Sequence, residues 1–430
     1  MDKYIIKGGI SLNGEVNISG AKNATLGILA ASILCDEDVT IDNVPDISDV
    51  QCMLKAIESM GATVNRLSAN TYIINGKNIN ITELNDPSLK NLRATYYFVG
   101  ALLAKYKNAK VIAPGGCNIG LRPIDLHLKG FKSIGADAYI ENDYIIAKTE
   151  GIVGDNIYFD TISVGATINV MIASVFCMGT TVMRNVSKEP HVVDVANFLN
   201  AMGANIRGAG TDTIKIKGVN KLHSTNYTII PDQIEAGTYM ILAAITKGDI
   251  TVKNVIPKHL ESISAKLMDT GNSVMTYDEA VRVIGSNIQI HTSIKTLPYP
   301  GFPTDLQPQM ACLLSIADGK SKITETIFEN RFKYVNEVIK MGAKMTVNDN
   351  ELLIDGVNKL SGKNLVAPDL RAGAALVIAA LSADGFSTID NIEYIERGYE
   401  NFIPKLQELG AIINKITEYD DIEKFIKENN

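Results

Sequence analysis

Positive charge is scarce in this chain. Its 430 residues hold 41 Lys+Arg against 48 Asp+Glu, for a net charge of −7 and a pI near 5.4. That balance argues against non-specific nucleic-acid binding, which needs basic surface, so any anionic ligand must be gripped locally. Cysteine is sparse too. Cys35, Cys52, Cys117, Cys177 and Cys312 are odd in number, widely spaced and without a CxxC pair, which suits neither a disulfide framework nor a zinc site. No metal-ligand cluster is visible in the sequence, and neither metal nor cofactor is expected. The start, Met1-Asp2-Lys3-Tyr4-Ile5-Ile6-Lys7, lacks the long apolar core of a signal peptide, which makes a reducing cytoplasm the expected location. One uncharged stretch, Val164 to Met183, is long enough to span a bilayer. Its polar and small residues, Gly165, Thr167, Asn169, Ser174 and Gly179-Thr180-Thr181, predict instead a buried helix of roughly 15 residues ending in a turn, with no membrane insertion.

What the sequence does have is periodicity. A Gly between an apolar residue and Ala recurs as Met60-Gly61-Ala62, Ile134-Gly135-Ala136, Met202-Gly203-Ala204, Met341-Gly342-Ala343 and Leu409-Gly410-Ala411, with a degraded copy at Thr270-Gly271-Asn272. Each follows an amphipathic segment and precedes strand-like alternation, as a glycine at a helix C-terminus would. Upstream lies a small-residue helix in every unit: Ala24 to Leu34, Ala94 to Ala104, Ala166 to Cys177, Ala236 to Thr246, Gln307 to Ala317 and Ala372 to Ser382. A β-branched strand follows each, so one unit reads strand, helix, strand, helix, strand, strand. Helices this rich in Ala and Gly pack closely and belong in an interior. A solenoid is the alternative architecture. The length exceeds one hydrophobic core, however, and units this long can close three at a time into two compact domains.

Two features carry chemistry. Pro114-Gly115-Gly116-Cys117-Asn118-Ile119-Gly120-Leu121-Arg122-Pro123 is a loop by its glycines and prolines, and it puts a thiol five residues from a guanidinium, which favours the reactive thiolate. The ordinary alternative is a small buried hydrophobe in a turn. The second feature is the placement of the nine arginines. Arg93 and Arg371 share the context Leu-Arg-Ala at the start of an inner helix, while Arg122, Arg331 and Arg397 precede the second helix of their units. Lys22 opens the first inner helix. Equivalent loops of a repeat ring share a face, so these cations can line one anionic site together with helix N-termini. Pairing with neighbouring carboxylates such as Glu329 and Glu396 is the competing possibility.

The segments Ser19-Gly20-Ala21-Lys22-Asn23, the Cys117 loop through Asp125-Leu126-His127, Ser163-Val164-Gly165-Ala166-Thr167, Gly210-Thr211-Asp212, Phe302-Pro303-Thr304-Asp305-x-Gln307, Thr324-Glu325-x-x-Phe328-Glu329-Asn330-Arg331 and Asp369-Leu370-Arg371-Ala372 closely resemble the UDP-N-acetylglucosamine 1-carboxyvinyltransferase family of enolpyruvyl transferases, over residues 1 to 415. The resemblance implies an α/β fold of six βαβαββ units, three per domain, with the active site in the cleft between the domains. One lobe would span 22–229 and the other 1–21 with 230–430. The implied reaction moves the enolpyruvyl group of phosphoenolpyruvate to the 3-hydroxyl of UDP-N-acetylglucosamine, releasing phosphate, as the first committed step of peptidoglycan synthesis.

The resemblance also implies roles. Cys117 is the proton donor to C3, the site of a transient adduct and the target of fosfomycin. Asp305 takes the proton of the attacking hydroxyl and later helps remove a proton from C3 as phosphate leaves, although helix capping after Pro303-Thr304 is its ordinary alternative. Lys22 and Arg397 stabilise the leaving phosphate, and Arg93, Arg122, Arg331 and Arg371 complete the cationic set. Asn23, the Arg122 to Leu126 run (Pro123, Ile124, Asp125), Ile162 to Gly165 (Ser163, Val164) and Ile327 resemble the nucleotide-sugar contacts. Thr161, Ser48 and Gln233 depart from the family pattern. The segment from Lys415 to Asn430 reads as a peripheral helix or a frayed end. The related 5-enolpyruvylshikimate-3-phosphate synthases lack the cysteine loop, and a different UDP-sugar acceptor or a catalytically silent binding protein are further alternatives.

Overall fold

The computed structural model describes residues 2–115, 124–417 and 419–429. These form two compact units. One takes its described residues from Met1–Ser19 and Pro231–Asn430, the other from Gly20–Gly116 and Arg122–Ile230.

Six four-stranded sheets share one wiring. In one of them Glu83–Leu84 runs parallel to Asn108–Ile112, which pairs antiparallel with Tyr144–Lys148, whose far edge takes Asp137–Glu141 as a hairpin partner. The same order recurs for Ser293–Lys295, Lys320–Thr324, Glu351–Asp355 and Lys344–Asn348. A parallel pair cannot be joined by a tight turn, and in both cases a buried inner helix, Tyr97–Tyr106 or Gln307–Leu314, makes the crossover. The two N-terminal strands are used far from their place in the sequence. Asn13–Asn17 lies parallel to Asp249–Lys253, and Lys3–Lys7 sits between Phe386–Asp390 and Ile412–Ile416.

The inner helices are Lys22–Ser32, Tyr97–Tyr106, Val164–Ala173, Gln233–Ile245, Gln307–Leu314 and Leu370–Ser382. Nearly every residue in them is buried, as their small side chains require. At Gly100 an added Cβ would lie 2.4 Å from both the backbone oxygen and Oδ1 of Asn169, so the second and third inner helices touch through a position that admits no side chain. Two predicted boundaries need correction. The second helix does not begin at Ala94, because Arg93–Tyr96 is a 3-10 turn in which the Thr95 hydroxyl donates to the Leu92 carbonyl at 2.9 Å. The third has 10 residues instead of about 15. Among the described residues no helix is long and apolar enough to cross a membrane.

All six repeat glycines stand in the left-handed region, with φ of 102° at Gly61, 89° at Gly135, 99° at Gly203, 88° at Gly271, 104° at Gly342 and 94° at Gly410. The degraded copy therefore performs the same helix-terminating turn as the others. Each unit has its own hydrophobic core, one built from residues between Ala21 and Ile229 and the other from residues 4–18 and 234–413. A third, small cluster joins Ile5, Ile416 and Phe425. The tail is thus a docked helix, Tyr419–Asn429, with Phe425 edge-on to Phe386 and the Lys7 ammonium donating to the Asn429 carbonyl.

Candidate active site

In the Pro231–Asn430 unit, Pro303 leads into a short 3-10 turn, Thr304–Leu306, that presents Asp305. Its carboxylate is shared by two buried guanidinium groups: Arg331 Nη2 donates to Oδ1 at 3.1 Å and Arg371 Nε to Oδ2 at 3.2 Å. Arg331 is only 2% exposed and also gives Nε and Nη2 to the Thr304 carbonyl at 3.3 and 3.2 Å. It braces the turn that carries Asp305. Arg371 enters its helix under a cap in which Asp369 Oδ1 accepts the N–H groups of Arg371 and Ala372, both at 3.0 Å. Burial opposes its charge, but Tyr399, Asp305 and Asp232 outweigh that and raise its pKa. Its Nη1 is buried and makes no hydrogen bond among the described residues.

The structure therefore brings Asp305, Arg331 and Arg371 into contact. The possibility of surface pairing with Glu396 is not realised in that form, since Glu396 accepts from Lys415 at 2.9 Å and from Tyr4 at 3.4 Å. Arg397 is half-buried at the C-terminal end of the Glu393–Glu396 helix. Ile327 is held by Glu325, whose Oε1 accepts the N–H of Ile327 at 2.8 Å and of Phe328 at 3.2 Å while its Oε2 accepts from Thr304 Oγ1 at 3.0 Å. Glu325 ties the Ile327 loop to the Asp305 turn. Sequence reasoning passed it over, although it stands inside a recognised motif.

The other unit carries a separate group of the expected residues. Lys22 opens its helix with Nζ 2.6 Å from Asp49 Oδ2, both side chains at least nine-tenths buried. Asp49 was not foreseen, because its link to Lys22 runs between helices and follows no spacing rule. Asn23 is half-buried beside it. Arg93 begins the 3-10 turn with its guanidinium carbon 5.8 Å from the centroid of the Tyr96 ring. Ile124 and Leu126 are buried and Asp125 is exposed at the start of the Asp125–Ser133 helix. Ile162 is exposed, Val164 and Ser163 are half-buried, and Ser163 Oγ caps the next helix by accepting the Ala166 N–H at 3.2 Å. Gly165 is buried against Tyr96 and His127. Cys117, Arg122 and Pro123 lie outside the described residues.

Two of the three departures begin helices and the third lies in the bend between the Asn156–Tyr158 strand and the Val164–Ala173 helix. Ser48 is exposed at the first position of the Ser48–Ser59 helix, Thr161 is exposed before Ile162, and Gln233 begins a helix capped by Asp232. Among the described residues no cluster of His, Cys, Asp and Glu could hold a metal ion. Among the described residues no cysteine forms a disulfide; Cys35, Cys177 and Cys312 are buried and Cys52 is half-buried. Burial pushes the Cys312 thiol up to about 12.

A sequence model of the family EPSP synthase (3-phosphoshikimate 1-carboxyvinyltransferase) matches residues 6–406. The Clostridium acetobutylicum protein named UDP-N-acetylglucosamine 1-carboxyvinyltransferase 2 is 53% identical over 416 residues, covering 96% of this chain and 99% of that protein. A Clostridium botulinum UDP-N-acetylglucosamine 1-carboxyvinyltransferase is 51% identical over 417 residues, covering 97% and 100%. Among solved structures, the enolpyruvyl transferase NikO of Streptomyces tendae matches with a TM-score of 0.88 at 25% identity, over 97% of this chain and 99% of that one. EPSP synthase of Acinetobacter baumannii matches with a TM-score of 0.76 at 17% identity over 97% and 100%, a likeness of fold alone.

Proposed function

The chain belongs to the EPSP synthase family and, within it, groups with the UDP-N-acetylglucosamine 1-carboxyvinyltransferases, and on that premise we propose that it transfers the enolpyruvyl group of phosphoenolpyruvate to the 3-hydroxyl of UDP-N-acetylglucosamine, releasing phosphate, at the entry to peptidoglycan synthesis. The observation that carries this reading is identity above 50% along almost the whole of both chains. A catalytically silent relative would keep the fold, but it would have no need for a carboxylate clamped between two buried arginines.

The chemistry asks for a proton at C3 of phosphoenolpyruvate, attack of the sugar oxygen on C2, and then loss of a C3 proton as phosphate departs. Cys117 supplies the first proton and accepts a transient bond to C2, which makes it the site of fosfomycin attack. Asp305 takes the proton of the sugar hydroxyl and, once it has passed that proton on, helps remove the C3 proton as phosphate departs. It does so from between Arg331 and Arg371, which donate to its two oxygens at 3.1 and 3.2 Å. Lys22 and Arg397 stabilise charge on the leaving phosphate. Arg331 steadies the Asp305 turn. Arg93, Arg122 and Arg371 complete the cationic set for phosphoenolpyruvate, and Asn23, Arg122, Pro123, Ile124, Asp125, Leu126, Ile162, Ser163, Val164, Gly165 and Ile327 hold the nucleotide sugar.

Phosphate release from phosphoenolpyruvate tests the reading directly. Turnover is expected with UDP-N-acetylglucosamine, not with shikimate 3-phosphate, and loss of most of it in Cys117→Ser. Tight binding of UDP-N-acetylglucosamine without turnover would overturn the enzyme reading, and turnover with shikimate 3-phosphate would reassign the acceptor. Fosfomycin is expected to protect one thiol, Cys117, from alkylation, since the thiols of Cys35 and Cys312 are buried with raised pKa.

A further inference from the structure

His127 lies in the motif that follows the cysteine loop, yet it is 4% exposed and faces inward from the Asp125–Ser133 helix. Its Nδ1 lies 3.0 Å from Asn169 Nδ2. The orientation of that amide is fixed independently of the histidine. Asn169 Oδ1 accepts the Gly100 N–H at 2.9 Å, and Nδ2 donates to the Tyr96 carbonyl at 2.8 Å. Reversing the amide would set oxygen against the Tyr96 carbonyl and NH2 against the Gly100 N–H. Nδ2 therefore has one hydrogen for Tyr96 and one for His127, and Nδ1 of His127 must be the acceptor. The ring is neutral with its proton on Nε2, and burial, with Arg93 nearby, keeps it so by lowering its pKa to about 3.

This network touches Arg93 and two of the three described segments of the unit to which nucleotide-sugar contacts have been assigned, Asn23 being the third. The His127 and Tyr96 rings meet edge to face at 4.6 Å, and Arg93 lies over Tyr96. A Cβ on Gly165 would fall 2.6 Å from the Tyr96 hydroxyl and 3.1 Å from His127 Cε1, so the first turn of the Val164–Ala173 helix rests on the same two rings. Arg93, the Ile124 to Leu126 turn and the Ser163 to Gly165 turn are thus joined beneath by Tyr96, His127 and Asn169. None of these three has a reacting role in the mechanism above.

We propose that Asn169 and His127 are positioning residues for the nucleotide sugar: the asparagine locks one neutral tautomer of the histidine, and the locked ring sets the relative placement of Arg93, the Ile124 to Leu126 turn and the Ser163 to Gly165 turn. The proposal rests on the reading of the protein as a UDP-N-acetylglucosamine enzyme, and its tests separate the two.

In His127→Phe, which keeps a ring but removes the acceptor, KM for UDP-N-acetylglucosamine is expected to rise about tenfold with kcat changed less than about threefold. An unchanged KM, or a fall in kcat alone, overturns the proposal. Asn169→Asp replaces the donor by an acceptor and draws a proton onto Nδ1, so sugar affinity should acquire a pH dependence near neutrality that the wild type lacks; its absence counts against the lock. A wild-type measurement guards against variants that do not fold. In 15N-histidine spectra, one histidine should show unprotonated Nδ1 and protonated Nε2 down to pH about 5, and its signals should shift on addition of UDP-N-acetylglucosamine. An Nδ1–H tautomer or no shift overturns the proposal, whereas a wild type that fails to bind UDP-N-acetylglucosamine at all overturns the functional reading instead.

Discussion

Asp305 and Asp194 are the same side chain in opposite regimes. Asp305, in one unit, keeps about a quarter of its side chain exposed and meets two guanidinium groups. Asp194, in the other, is 1% exposed and meets neutral donors, the Tyr227 hydroxyl at 2.5 Å and the Ile230 N–H at 3.3 Å. Burial outweighs those donors and raises the Asp194 pKa to about 6. A cation alone does not reverse the effect at full depth. Glu235 is 2% exposed and has the Lys405 ammonium at 2.6 Å, yet burial still pushes its pKa to about 7. A carboxylate stays available as an anion where water and cations both reach it. Where they do not, it becomes a structural hydrogen-bonding group that is sensitive to protonation.

The sharpest way to break the comparison is Asp305→Asn. The amide keeps the shape and one acceptor but takes no proton, so kcat should fall about 10³-fold, read by phosphate release, while the variant remains folded by circular dichroism. Asp194→Asn should do the reverse, leaving kcat within about twofold while changing the pH dependence of stability. Because the native pKa is raised, the native state binds the proton more tightly; the contribution is full below pH about 4 and is lost as pH rises through about 6, on the order of 3 kcal/mol. Urea unfolding at pH 4.5 and 7.5 should show that slope in the wild type and a flatter one in the variant, with the Glu235 contribution remaining in both. The smallest effect is expected from Phe425→Ala in the peripheral cluster. A loss of about 1–2 kcal/mol with unchanged kcat would show that the tail helix adds stability alone, and a change in kcat would show that it does more.

The six glycine turns were legible because a helix end needs a left-handed residue at a fixed place, and glycine supplies it wherever the repeat returns. The inner helices were legible from their small residues, though not their ends. At Arg93 the Thr95 side chain returns to the backbone and tightens the first turn, while at Arg371 Asp369 caps a regular helix, so two segments sharing Leu-Arg-Ala differ in local geometry. Lys22, Arg331 and Arg371 were singled out by their places in the repeat. The partners were not: Asp49 for Lys22, Glu325 for the Ile327 loop and Asn169 for His127 come from other elements, and no local spacing marks them. The docking of the tail through Phe425 was open in the sequence because an amphipathic end fits a peripheral helix and a frayed one equally well.

The placement of Lys3–Lys7 between Phe386–Asp390 and Ile412–Ile416 sets a timetable. A ribosome makes this strand long before its neighbours, so at about 5–20 residues per second it waits roughly 20 to 80 seconds for them. The Gly20–Ile230 segment carries a complete core of its own and can close during that interval, while the apolar Tyr4-Ile5-Ile6 run stays exposed as an unpaired edge. Synthesis thus leaves the Lys3–Lys7 strand without its partners for most of the time that the rest of its unit takes to emerge.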